Sequence, residues 1–295
     1  DYTLVAGTLA FGTSNGVGIS ATVLTLDDHV EAYIGDYADV VAEGESSAVA
    51  VNVGDIDSSG NPTFAMEKGL FVTATSSEDI FSLAFAGAGG GNNGGAASAS
   101  VNIIDQVTRA HIDANTDINA FNSISDTGPS VYVVAADRTD VFGLGGGLGG
   151  RRNIGAGLGA DVGLVTKDTR AYIGEGASVD AENRIVVEAI SEEGVLSIAA
   201  GIGGGVSTGV AGSGSVYIFD NTTLAYIAGT ASAPGQTHVH TDGSIQVSAV
   251  DNTEGLMVAG SIAAAGGNGG GASAAVPIIT KWTEAFIGTT TIDGV

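Results

Sequence analysis

The sequence contains no cysteine, and only four of its 295 residues are proline. The absence of cysteine excludes a disulfide framework and a thiolate metal site. Basic residues are also scarce, with nine lysines and arginines against 33 acidic residues, so the net charge is −24. Such a surface repels nucleic acid and anionic lipid, and the doublet Arg151-Arg152 is too small to bind either. We therefore expect no nucleic-acid partner.

Aromatic residues make up only 6% of the chain. Two uncharged runs, residues 80–104 and 256–280, are long enough to cross a bilayer. Glycine strings interrupt both runs, and each glycine disfavours a helix by about 1 kcal/mol. Aromatic residues do not flank the runs as they flank membrane-spanning segments. We expect no membrane insertion.

Glycine, by contrast, is abundant at 48 residues, and much of the sequence is repetitive. A short motif, clearest as Arg170-Ala171-Tyr172-Ile173, occurs five times, and its alanines are spaced by 78, 61, 54 and 60 residues. A glycine lies 16 residues before each of these alanines, a valine nine before it and an isoleucine two after it. The repeated positions are Gly16, Gly94, Gly155, Gly209 and Gly269; Val23, Val101, Val162, Val216 and Val276; and Ile34, Ile112, Ile173, Ile227 and Ile287. A period of this size is typical of a repeat architecture.

The repeats form one continuous array with units at approximately 1–79, 80–140, 141–194, 195–255 and 256–295. The last unit is incomplete, and we expect the array to be part of a larger protein. Three units carry extra residues rich in Gly, Ser, Asn, Asp or Pro, at 43–69, 122–130 and 228–237. These insertions are predicted to be loops at one edge of the array.

Period-2 alternation without a helical pattern predicts an all-β fold. After each repeated alanine, aliphatic residues recur every six positions, as in Ile173, Val179 and Ile185. One inward aliphatic residue per short strand and turn is typical of a parallel β-solenoid, in which the recurrent threonines and isoleucines would stack as ladders. The small residues beside the glycine strings predict a close approach of two backbones or sheets. About five strands per unit fit a three-strand coil poorly, so long strands paired as antiparallel hairpins remain an alternative.

Residues 169–181 and 185–189 give the repeat its most specific form, TRAYIGEGASVDA followed by IVVEA. This pattern resembles the haemagglutinin-like and leukotoxin-like repeats of filamentous adhesins, which are large secreted bacterial surface proteins. The resemblance covers essentially the whole chain. It implies a right-handed parallel β-helix (β-solenoid), export to the cell surface or extracellular space, and an adhesive, fibrous or biofilm-matrix role.

Parallel β-helices also include enzymes that degrade polysaccharides, which need paired carboxylates at the scissile bond. The candidate clusters are Asp27-Asp28-His29 and Asp137-Arg138 with Asp140. Both are predicted at turns, where such residues serve as solvated turn formers. His238 and His240 alternate on one strand face near Asp242, but no third ligand is evident for a metal. We expect neither catalytic residues nor a bound organic cofactor.

Acidic clusters recur before the strands predicted to begin at Ile80, Val141, Val195 and Leu256. Their members are Glu78, Asp79, Asp137, Asp140, Glu192, Glu193, Asp251 and Glu254. If these clusters lie at equivalent corners of successive coils, the coils stack their carboxylates above one another. The carboxylates would then repel one another, and calcium would relieve the repulsion. Weak calcium binding is therefore the one cofactor hypothesis.

Together these features favour a non-catalytic stalk or filament segment of a giant extracellular bacterial protein. Its partners would be neighbouring repeats or other copies, packed end to end or side by side. The alternative is an adhesive module whose inserted loops bind a host or matrix glycan or a receptor. A polysaccharide-degrading enzyme is the third hypothesis.

Overall fold

The computed structural model describes residues 1–44, 47–56, 62–120, 128–229, 236–289 and 291–294. Seventeen β-strands and no helix lie within these ranges, which confirms the predicted all-β fold. No helical segment in this part of the chain is long and apolar enough to cross a membrane.

Fifteen strands form three parallel sheets, and each coil of the chain contributes one strand to every sheet. Sheet A contains β1 (Tyr2–Gly12), β6 (Gly69–Gly90), β9 (Ser130–Arg151), β12 (Arg184–Gly205) and β15 (Ser244–Ala265). Sheet B contains β2 (Asn15–Ile34), β7 (Asn93–Ile112), β10 (Ile154–Ile173), β13 (Thr208–Ile227) and β16 (Asn268–Ile287). Sheet C contains the short strands β3 (Asp39–Val41), β8 (Asp117–Ala120), β11 (Ser178–Ala181), β14 (His238–Thr241) and β17 (Thr291–Gly294). The chain is a parallel β-solenoid.

The repeated residues stack directly above one another. Ala171, for example, pairs with Ala110 on one side and with Ala225 on the other. The long strands therefore pair in parallel with the next coil, and the antiparallel-hairpin alternative for them is wrong. An antiparallel pair does occur in the first insertion, between β4 (Val49–Ile56) and β5 (Pro62–Glu67). The other two insertions lie largely outside the described residues.

The prediction of about five strands per unit is also wrong, because a coil has three strands and two of them are long. The adjacent polar residues Asp105 and Gln106 lie within the 20-residue strand β7 and not at a turn. Coils begin with the strands of sheet A, so the predicted unit boundaries near residues 80, 141, 195 and 256 lie inside those strands. When only its sequence neighbours are considered, a pair of adjacent polar residues is typical of a turn. In the solenoid one member points to solvent and the other meets polar partners across the interior, so the strand continues.

The hydrophobic core lies where all three sheets enclose the interior. Ile173, Val179 and Ile185, one from each sheet, are fully buried in one cluster with their counterparts from neighbouring coils. The six-residue rhythm is thereby confirmed as an inward aliphatic column. The hand of the coil stays a prediction.

Farther from sheet C, sheets A and B alone face each other and form a thin region that we call the blade. It comprises residues 2–26, 80–104, 141–165, 195–219 and 255–279. The two sheets approach so closely that a Cβ atom on Gly147 would lie 2.0 Å from the Leu158 carbonyl oxygen. On Gly155, in the repeated glycine column, it would lie 2.0 Å from the Gly204 carbonyl oxygen. The predicted close approach of two sheets is confirmed, and it explains the glycine strings.

Candidate functional site

The predicted acidic clusters lie at four consecutive positions in the middle of the sheet A strands. We call these positions the charged band, and they comprise residues 76–79, 137–140, 191–194 and 251–254. The prediction that they occupy strand ends is wrong, because β6, β9, β12 and β15 run through them without interruption.

Strand alternation divides the eight predicted carboxylates into two sets of four. The inward set is buried or nearly so, and the outward set lies at the surface. The inward residues are Glu78, Asp137, Glu193 and Asp251, and the outward residues are Asp79, Asp140, Glu192 and Glu254. The calcium hypothesis assumed that stacking places all eight carboxylates along one edge, and that assumption is wrong.

The inward carboxylates surround a lysine that the sequence analysis did not single out. Lys167, on β10, directs its Nζ to Asp137 Oδ1 at 2.6 Å and to Glu193 Oε1 at 3.1 Å. The side chains of Lys167 and Asp137 are fully buried, and that of Glu193 is 1% exposed. The sequence feature that could have identified Lys167 is its position four residues before the repeated Ala171. The equivalent positions in the neighbouring coils hold the polar residues Gln106 and Asn221. A polar column at an inward position indicates polar partners across the interior.

Hydroxyl groups hold the two carboxylates in place. Thr108 Oγ1 donates a hydrogen bond to Asp137 Oδ2 at 3.0 Å. Ser191 Oγ and Thr253 Oγ1 donate to the two oxygens of Glu193, each at 2.6 Å. The threonine column stacks as predicted, but Thr108 donates across the interior to sheet A and not along a ladder of hydroxyls.

The burial of these groups changes their proton affinities. Burial raises the pKa of Asp137, and the charge and hydrogen bond of Lys167 oppose this increase only partly. Burial also raises the pKa of Glu193, but Lys167 and the hydroxyl donors outweigh it and hold that pKa below its ordinary value. For Lys167, burial lowers the pKa while Asp137 and Glu193 raise it by more, so the net shift is upward. The cluster therefore binds Lys167 as an ammonium ion next to one ionised carboxylate and one that protonates readily.

Glu78 lies in the same band, and no lysine in the part of the chain that the structure describes forms an ion pair with it. Its oxygens accept hydrogen bonds from Ser76 Oγ at 2.6 Å and from Gln106 Nε2. Burial raises the pKa of Glu78 to about 7, and these two hydrogen bonds oppose the increase.

The outward half of the band is a surface of paired charges. Arg138 lies 2.7 Å from Asp140 and 3.6 Å from Glu192, and a shallow depression between them extends to Glu254. Within the described ranges, no group of three or more histidine, aspartate and glutamate residues is placed to hold a metal ion. Calcium binding stays a prediction without a defined site.

The remaining sequence candidates do not converge on one site. Asp27-Asp28-His29 lies inside β2 and not at a turn, so its predicted position is wrong. Asp28 accepts a hydrogen bond from Ser76 at 3.0 Å. His238 and His240 lie on the same face of β14, as predicted, with His240 3.9 Å from Asp242.

One outward column of sheet B is a stack of aromatic rings. Tyr33, His111, Tyr172, Tyr226 and Phe286 lie above one another with ring centroids 4.6 to 5.4 Å apart. His111 also contacts Asp113 at 2.7 Å and Glu31 at 3.1 Å. The ring stack was predictable from the repeated motif, because every repeat has an aromatic ring between the repeated alanine and isoleucine. Stacking of the rings reinforces the register of the five coils.

The outer faces of the blade are apolar on both sheets. On sheet A, Leu148 and Ile202 are neighbours in one outward column and are 44% and 41% exposed. On sheet B, the repeated valine column faces outward, and Val23 is 62% exposed. The uncharged runs are apparent in the sequence, but the outward direction of their large side chains is not. The reason is that, away from the base of the blade, glycine, alanine and serine occupy most of its interior.

The fold defines a parallel β-solenoid with a buried ionic cluster and an apolar blade. No family model, curated protein or solved structure matches the chain.

Proposed function

We propose that the chain is a structural segment of an extracellular bacterial stalk or matrix filament. The observation that carries this proposal is the stacking of five coils in one register through all three sheets. Each coil covers the backbone edges of the next, so the architecture extends along one axis by the addition of coils. The aromatic and aliphatic columns run in the same direction and resist slippage between coils.

The surface chemistry supports an assembled role. The net charge of −24 favours solubility, while the charged side chains are concentrated outside the blade. Each outer face of the blade measures about 11 residues by five strands, or roughly 900 Å² at standard strand spacings. Stable interfaces bury about 800 Å² per partner, so one face is large enough to bind the blade of a second copy. Lateral packing of filaments through these faces is the partner interaction that we propose.

Imaging of the purified chain at increasing concentration tests the filament role. We expect elongated particles of constant width, with a repeat of about 4.8 Å along the axis in fibre diffraction. The repeat would run along the particle axis because the strands lie across it. Compact monomers at every concentration would contradict a structural segment that assembles through its own coils.

The second candidate function is a binding module, which the hairpin β4–β5 favours. This hairpin exposes the large apolar side chains of Val49, Phe64 and Met66. In the third coil, sheets C and A are joined by only Glu182 and Asn183. A variant with residues 43–68 replaced by Glu-Asn therefore shortens the first coil to the form of the third. Loss of glycan-array binding with an unchanged circular dichroism spectrum would favour the binding module, and retained binding would count against it.

A further inference from the structure

The ionic cluster lies between two separate hydrophobic cores. On one side is the core enclosed by all three sheets, and on the other is the cluster around Ile80, Val141 and Val165 at the base of the blade. Lys167 and Asp137 thus face each other across the interior, one from sheet B and one from sheet A, with no side-chain exposure. Burial of an ion pair has a desolvation cost that mutual attraction offsets only partly. A neutral covalent product would remove that cost.

We propose that Lys167 and Asp137 condense to an isopeptide bond that joins sheets A and B within one coil, with Glu193 as the proton-transfer group. The three groups that the reaction needs are already in contact, at 2.6 Å and 3.1 Å from Lys167 Nζ. Fixed groups of this kind react with effective concentrations far above those of free reactants, about 10⁵ M or more in the best cases. The proposal holds whether or not the chain forms filaments.

The reaction balances without any further reagent. Glu193 relays one proton from Lys167 to the Asp137 carboxylate, and the Nζ lone pair then attacks Asp137 Cγ. The bond from Cγ to one carboxylate oxygen breaks, and that oxygen leaves as water with two protons from the ammonium group, one of them relayed through Glu193. The third proton stays on the amide nitrogen, and Glu193 returns to its ionised form. Nothing is oxidised or reduced.

The neighbouring groups suit these steps. Thr108 Oγ1, which donates to Asp137 Oδ2 at 3.0 Å, can stabilise the negative charge that develops on that oxygen during attack. Ser191 and Thr253 hold Glu193 against Lys167. The raised pKa of Asp137 favours transfer of the relayed Lys167 proton onto its carboxylate, and the protonated carboxyl that results is the better electrophile. Lys167 is an ammonium ion before the reaction, because its pKa is raised. Its nitrogen has no free lone pair until a proton leaves, so the reaction requires the contact with Glu193.

The chain contains an internal control. Lys281 and Asp251 occupy the same two columns two coils later, and they form an ion pair. Lys281 is 26% exposed, and its ion pairs among the described residues do not include a second carboxylate. We therefore expect the pair Lys281–Asp251 to remain unreacted in this chain.

Intact-mass spectrometry of the purified, denatured chain tests the proposal. We expect a mass lower than that of the sequence by one water molecule. Trypsin cannot cleave after an acylated lysine, so the digest should contain residues 110–138 joined to residues 153–170. A full sequence mass together with normal cleavage after Lys167 would overturn the proposal, and this result does not depend on any variant folding.

Three variants assign the roles. Asp137→Ala should restore the full sequence mass, and Lys281→Met should keep the loss of one water. Glu193→Gln, which retains the side-chain shape, should leave most of the protein uncrosslinked, at least tenfold less than the unsubstituted chain over the same time. Complete cross-linking in Glu193→Gln would overturn the assigned role of Glu193. A branched peptide at Lys281 in place of Lys167 would overturn the site.

Discussion

Gly203 and Val210 face each other across the blade, and a Cβ atom on Gly203 would lie 1.8 Å from the Val210 carbonyl oxygen. No side chain fits between the two main chains at that point. Away from its base, the blade interior is therefore packed by backbone against backbone, whereas the wider end of the coil is packed by aliphatic side chains. One solenoid thus contains two kinds of interior.

This contact predicts that Gly203→Ala separates the two sheets locally. We expect a loss of about 1–3 kcal/mol in the free energy of unfolding, the usual cost of overpacking. Gly204→Ala is the matched control, because a Cβ at that neighbouring position would meet no atom within 4 Å. Chemical denaturation of both variants measures the difference. Equal stability of the two would show that the sheets separate without cost.

The pKa of Glu78 predicts a pH dependence of stability. Because the folded state holds this proton with a pKa of about 7 against an ordinary value of 4.5, it binds the proton more tightly than the unfolded chain. The contribution of Glu78 is complete below pH 4.5 and is lost as the pH rises to about 7, by roughly 3 kcal/mol at most. In Glu78→Gln this part of the decline should disappear. Thermal unfolding of both proteins between pH 4 and pH 8 measures it, and parallel curves would contradict the prediction.

The ring stack predicts different effects for two substitutions at His111. His111→Ala interrupts the column between Tyr33 and Tyr172, and we expect a loss of about 1–2 kcal/mol in stability. His111→Tyr restores the residue that three other coils carry at this position, so it should recover much of that loss. Urea denaturation compares them. If tyrosine were no better than alanine, the contacts of His111 with Glu31 and Asp113 would be the main contribution and not ring stacking.

The apolar blade predicts a surface that controls association. In Leu148→Asp/Ile202→Asp, two charges stand in the centre of one outer face, and lateral association should fall at least tenfold in affinity because unpaired charges would be desolvated. Ser77→Asp/Gln246→Asp carries the same charge change at two exposed positions of sheet A outside the blade, neither of which has an acidic register partner, and it should associate normally. Sedimentation velocity measures both. An equal loss in the two variants would indicate net charge and not the blade face.

The sequence was sufficient to predict the parts of the fold that depend on local repeats. The inward column of Ile173 and its counterparts, the stacking of the repeats and the close approach at the glycine strings were all predictable. Each depends on a residue type recurring at a constant spacing. The strand boundaries near Ile80 and Val141 were not predictable in this way, because polar pairs such as Asp105-Gln106 resemble turns until their partners across the interior are known.

The ionic cluster shows the same difference between what the sequence predicts and what the structure adds. Asp137 and Glu193 were identified as members of acidic clusters and as calcium candidates, and Lys167 was not identified. The residue spacing of the chain by itself determined that coils repeat and stack, since period and alternation are properties of neighbouring residues. Only the tertiary structure decided which carboxylates point inward and that Lys167 lies between two of them. Those facts depend on two sheets that meet across the interior, from residues about 30 positions apart in the chain.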